Sequence, residues 1–123
     1  YYFLSFSQKV KLLINRRIKY LKEGVVITDL WTHGYFHWLM DSLPRLILIN
    51  QPEITILLPI ELKKFEFVES SLRLLGFHKL HFMNQHEYKF IKKLNFPYQL
   101  APTGNYNEEI IKELIGVLLF ITN

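Results

Sequence analysis

The sequence predicts an α/β fold in which a mainly parallel sheet is covered by flanking helices. Three observations carry the prediction. Segments whose apolar residues step by three and four alternate along the chain with short runs rich in β-branched residues, the rhythm of right-handed βαβ crossovers. The run Ile54-Thr55-Ile56-Leu57-Leu58 is apolar almost throughout rather than alternating, as expected of a strand buried on both faces. A chain of 123 residues with 50% hydrophobic content also matches about one domain with a sizeable core.

The first element reads as a basic amphipathic helix over residues 1–23. Val10, Ile14, Ile18 and Leu21 recur at steps of four, four and three, with cations on the flanks and Gly24 as the stop. Val25 to Trp31 follows as a strand rich in β-branched residues, and a helix runs from about Gly34 to Ile49, closed by Asn50-Gln51-Pro52. The strand Ile54 to Leu58 is bounded by Pro52 and Pro59. From Glu61 to Leu75, the positions Leu62, Phe65, Val68, Leu72 and Leu75 form a helical stripe that Gly76 caps. Short strands are expected at Lys79 to Met83 and Tyr88 to Leu94. Pro97 and Ala101-Pro102-Thr103-Gly104 make a loop, and a last helix runs from Tyr106 to Phe120 with Asn105 as its N-cap. Residues 24–123 are expected to form one unit. Ligands of such sheets lie at the carboxyl ends of the strands, which draws attention to the loop Trp31-Thr32-His33.

Composition narrows the classes. With no cysteine there is neither a disulfide framework nor a Cys-ligated zinc site, and a reducing compartment suits the chain. Aromatic residues at 15% and charged residues at 21% exclude a disordered chain. No apolar stretch reaches the length of a membrane span, the best being broken by Asp41, Pro44 and Arg45. The net charge of +4 is uneven: Lys9, Lys11, Arg16, Arg17, Lys19 and Lys22 all precede the first acid, Glu23, and the remainder carries a net −2. The bland reading of these cations is a solvated helix face, and the functional one is peripheral contact with the inner membrane from the cytoplasmic side. Nucleic acid is disfavoured, because the cations are not interleaved with base-stacking aromatics. Tyr1 in place of an initiator Met and the apolar run Ile115 to Ile121 just before Asn123 suggest a piece of a longer protein.

The informative segment is residues 33–46. His37, Asp41 and Arg45 are four apart, each rotated ~40° from the last on a helix, so they form one polar stripe on an otherwise apolar element. Asp41 beside His37 and Arg45 suits a carboxylate that accepts a proton from a hydroxyl. Pro44 removes the donor for the Met40 carbonyl and should bend the helix after Asp41. Two alternatives stand beside this reading. The stripe is also what a satisfied buried network looks like, with Arg45 completing it. His33, His37 and Asp41 also repeat at metal-ligand spacing, as a metal-dependent hydrolase would need. His78, His81 and His86 read as loop and edge-strand polarity.

Gly34-Tyr35-Phe36-His37-Trp38-Leu39-Met40-Asp41-Ser42-Leu43-Pro44-Arg45-Leu46 resembles the hallmark motif of glycosyltransferase family 61, an aromatic pair followed by His-Trp-Leu-x-Asp-x-Leu-Pro-Arg. Weaker similarity runs through Leu57-Leu58-Pro59, Leu74-Leu75-Gly76-Phe77 and Asn105 to Ile111, so residues 24–123 resemble the front of that family's catalytic region. The resemblance implies the N-terminal, Rossmann-like half of a GT-B enzyme. It implies an inverting transfer from a nucleotide-sugar donor to a glycan or protein hydroxyl, of the kind used in capsular and surface polysaccharide biosynthesis. No cofactor is implied. The donor would be bound mainly by a second half that follows this chain, which alone should transfer sugar poorly. Asp41 matches the motif's acid and would be the base, and His37 would orient or polarise it. His33, Gly34, Tyr35 and Arg45 would lie on the substrate side, with Arg45 holding a phosphate or fixing Asp41. The alternative within carbohydrate chemistry is a non-catalytic sugar-binding or scaffolding module.

Overall fold

A computed structural model describes residues 5–14, 18–29, 32–84, 88–97 and 106–122. Four strands form one all-parallel sheet in the order β3-β2-β1-β4. They are β1 (Ile18–Val26), β2 (Thr55–Pro59), β3 (Leu80–Met83) and β4 (Tyr88–Asn95). The chain steps outward from β1 through β2 to β3, then places β4 on the other side of β1. The topological switch point therefore lies between β1 and β4.

The basic helix over residues 1–23 is not formed as expected. Helix α1 covers only Phe6–Ile14, and Ile18–Val26 is β1. Lys9 and Lys11 lie on the helix and Lys19 and Lys22 on the strand, while Arg16 and Arg17 fall outside the described residues. The physical reason is long-range pairing. β1 lies in parallel register with β4 from Ile18↔Tyr88 to Val25↔Asn95, and Tyr20 stacks on Phe90 with ring centroids 5.9 Å apart. Gly24 is thus a strand residue and not a helix stop. It is buried under the adjacent strand, where a Cβ would come within 3.3 Å of Leu57 Cδ1 and 3.1 Å of Leu21 Cδ2. The expected strand from Val25 overlaps β1 only at its end, and Leu30 and Trp31 are outside the described residues.

The expected helix at Gly34 to Ile49 has helical backbone but three hydrogen-bonding patterns. A short α2 (Tyr35–His37) leads into a π turn at Trp38–Ser42 and then a 3-10 segment at Leu43–Leu48. Pro44 accounts for the change, since it has no N–H for the Met40 carbonyl and its ring crowds that oxygen. The Leu43 N–H instead bonds to the Trp38 carbonyl, a wider loop that passes the obstacle. The next expected helix is also split, into a 3-10 turn at Ile60–Lys64 and α3 (Glu66–Leu74), with Phe65 in extended conformation between them. Leu62, Val68 and Leu72 are buried, as their spacing predicts. Gly76 caps α3 at φ +91°, with Gly76 N–H bonded to Arg73 O and Phe77 N–H to Leu72 O, the paired bonds of a Schellman motif. Helix α4 (Glu108–Thr122) starts two residues later than expected. Its cap is Asn107, whose Oδ1 accepts from Ile110 N–H, while Asn105 and residues 101–104 lie outside the described residues.

Register places Val25, Ile56 and Leu80 side by side on one sheet face, with Leu58 beside Phe82. Trp38, Leu43 and Leu46 pack on that face together with Leu62, Val68, Leu72 and Leu114, which makes one contiguous core. Among the described residues, no helix is long and apolar enough to cross a membrane.

Candidate functional site

The carboxyl ends of all four strands meet at a cleft of about 710 Å³. β1 supplies Thr28 and Asp29, β2 Leu57, Leu58 and Pro59, β3 Met83 and Asn84, and β4 Phe96, with His33 on the following turn. The chain leaving β1 is held by a local motif. Thr32 Oγ1 accepts from Asp29 N–H at 2.8 Å and donates to Asp29 Oδ1 at 3.3 Å, and a 3.0 Å bond joins it to Ser42 Oγ. Thr32 and Ser42 are both fully buried, so this link ties the strand end to the π turn.

Arg45 crosses the same junction. Its Nη2 donates to Asp29 Oδ2 at 2.8 Å and to Asp41 Oδ1 at 3.0 Å. The Arg45 and Asp41 side chains are 8% and 7% exposed, whereas Asp29 is 30% exposed and lines the cleft. Two carboxylates therefore share one guanidinium. Asp41 Oδ2 and Arg45 Nε are buried without a hydrogen-bond partner among the described residues. A buried carboxylate oxygen without a donor still has lone pairs open to a hydroxyl.

Of the residues singled out in sequence, Asp41 and Arg45 are brought together as an ion pair. His37 is half-buried just before the π turn, its ring edge-on to Phe36 at 5.7 Å. His33 is exposed on the cleft rim. Gly34 is exposed, and Tyr35 is turned to α3, edge-on to Phe67 at 5.0 Å. Trp38, central to the motif, is fully buried and donates Nε1–H to Ser71 Oγ at 2.9 Å, so its place in the motif is structural. His33, His37 and Asp41 do not assemble as a ligand set, since among the described residues no three His, Asp or Glu side chains could hold a metal ion. His86 is outside the described residues.

Sequence reasoning missed Asp29, together with Ser42, Asn84 and Phe96. The available signal for Asp29 was a hydrogen-bonding pair, Asp29 and Thr32, three apart directly after a β-branched strand. A second cavity of about 530 Å³ lies between the 3-10 segment and α4, walled by Leu46, Ile49, Phe77, Leu114 and Val117, with Glu113 the one charged group among the described residues that line it and no comparable network among them. No family model, curated protein or solved structure matches this chain.

Proposed function

We propose that this chain is the acceptor-side half of an inverting glycosyltransferase of the family 61 type, acting in the assembly of a surface polysaccharide or on a protein hydroxyl. In that reaction a carboxylate takes the proton of the acceptor hydroxyl while its oxygen attacks the anomeric carbon. The bond from that carbon to the nucleoside diphosphate breaks, and the leaving group keeps the electron pair. One observation carries the reading. Asp41 and Arg45 of the 37–45 motif join Asp29, which follows β1, in a charged network that backs a cleft at the carboxyl ends of parallel strands beside a switch point, where open α/β sheets bind ligands.

Arg45 in this arrangement fixes the carboxylates rather than holding a phosphate. It is buried, and its Nη2 is shared between them. A sugar-binding module without transfer activity is the second reading, favoured by a cleft whose described lining has a carboxylate and no lysine or arginine for a nucleotide's phosphates. The deciding experiment expresses the encoding gene from its own start codon to its stop. Incubation with a panel of UDP-, GDP- and CMP-sugars and mixed oligosaccharide acceptors is followed by nucleotide release. Release that depends on acceptor, and that falls at least about a hundredfold when Arg45→Met breaks the network, supports the transferase. Absence of release with every donor, in folded protein, rejects it in favour of the binding module.

A further inference from the structure

We infer that Asp29, and not Asp41, is the carboxylate that touches the sugar, and that the cleft takes an uncharged pyranose rather than a nucleotide or an acidic sugar. The inference rests on the sugar-directed reading above and names the group that reads the acceptor. Accessibility separates the two acids. Asp29 is 30% exposed and lines the cleft, while Asp41 is 7% exposed and does not line it. A hydroxyl entering from solvent therefore meets Asp29 first. Asp41 is a positioning residue: it shares Arg45 Nη2 with Asp29 and so orients the guanidinium against the outer carboxylate.

The chemistry of the lining selects the ligand. An ionised carboxylate is an acceptor only and can take hydrogen bonds from two neighbouring hydroxyls of a sugar ring. Phe96 is 57% exposed at the cleft and presents an apolar surface toward the C–H face of the ring, and Asn84, also exposed, lines the same cleft. An anionic ligand would meet Asp29 with Asp41 behind it, against the single charge of Arg45, with no lysine or arginine in the described lining and the His33 imidazole at its rim. Like charges at such a site oppose binding.

The test is a ¹H–¹⁵N NMR titration of this 123-residue chain with methyl β-D-glucopyranoside, methyl β-D-galactopyranoside and methyl α-D-mannopyranoside, and separately with sodium glucuronate and UDP. At least one neutral glycoside is expected to shift the amides of Thr28, Asp29, His33, Asn84 and Phe96 saturably, and the two anions to leave them in place. Asp29→Asn should weaken that binding at least about tenfold, since a charge-assisted hydrogen bond becomes a neutral one, while Asp41→Asn weakens it less than about threefold. Phe96→Ala, at an exposed position, should weaken it as well and keeps the test decisive if Asp29→Asn fails to fold. Failure of all three glycosides to shift the cleft amides, tighter binding of UDP or glucuronate, or loss of binding in Asp41→Asn but not in Asp29→Asn overturns the inference. Cleft binding without any nucleotide release by the full gene product rejects the transferase reading and leaves this one standing. Nucleotide release whose acceptor KM is unchanged in Asp29→Asn does the reverse.

Discussion

Removing Arg45 should damage this protein more than removing either acid it holds, and restoring neutrality should repair most of the damage. In Arg45→Met, Asp41 loses the donor to Oδ1 while Oδ2 already has no partner, so a carboxylate only 7% exposed is left without a hydrogen bond. Breaking a buried pair in this way costs about 3–5 kcal/mol, because one charge stays behind in low dielectric. The bond to Asp29 adds little, since that carboxylate is 30% exposed and keeps Thr32. Asp41→Asn should cost only about 1–2 kcal/mol, because Arg45 retains Asp29 and the amide oxygen still accepts. In Asp41→Leu/Arg45→Met both buried charges are gone, and apolar replacement of such a pair is often neutral or better. The double variant is therefore expected to be about 2–4 kcal/mol more stable than Arg45→Met. A domain of 123 residues has ~6–18 kcal/mol in total, and at this size about 1 kcal/mol moves Tm by ~4 °C, so Arg45→Met should melt about 12–20 °C low. Urea and thermal unfolding followed by far-UV circular dichroism would measure all three variants. A cost below about 1 kcal/mol for Arg45→Met, or a double variant no more stable than it, would refute the account of a desolvated shared guanidinium.

Gly76→Ala should cost about 1–2 kcal/mol purely through its backbone, since φ is +91° and no atom lies within 4 Å of an added Cβ; Gly76→Asn should cost less, and an Ala variant as stable as the parent in urea would contradict this. Ser71→Ala leaves the indole N–H of fully buried Trp38 without its acceptor and should cost about 1–3 kcal/mol with a change in tryptophan emission; unchanged stability would show that the bond is dispensable. The Glu23 carboxyl is held below its ordinary 4.5, first by the hydrogen bond from Asn95 and then by that from Lys93. Asn95→Ala should raise it toward 4.5, as read by an NMR titration of the Glu23 carboxyl. The sign follows from linkage. A depressed carboxyl contributes stability above its unfolded pKa and loses it as the pH falls through its folded pKa, so the acid side of the stability curve should flatten in Asn95→Ala. An unmoved Glu23 titration would contradict the stated cause.

The elements read most reliably from sequence were those whose signals are local. Leu62, Val68 and Leu72 were placed on the core face by spacing alone, and Gly76 as a cap by its position after the last apolar step. β1 was misread for a geometric reason. Val10 and Ile14 do lie on α1, and the steps of four to Ile18 and three to Leu21 carry the helical spacing past the end of that helix into β1, so local spacing favoured the wrong element there. Only the pairing with β4, about 70 residues away in sequence, settles it, and no local pattern carries that information.

The same distinction explains why the site was half legible. Asp41 and Arg45 declare themselves because they interrupt an apolar segment at a fixed spacing, and Pro44 between them marks the backbone change that the structure resolves as a π turn. Asp29 signals only through its pairing with Thr32 three residues on, and nothing local links it to its partner Arg45, 16 residues away. What brings it to the network is the sheet. β1 delivers Asp29 to the cleft, Trp38 pins the start of the π turn to the core and to Ser71, and the Thr32–Ser42 bond closes the gap between strand end and turn. The motif thus writes the buried half of the charge network into one segment, while the half that faces solvent comes from a different element. On the inference that Asp29 touches the sugar, the contact residue is supplied by topology, and the conspicuous motif holds it in place from behind.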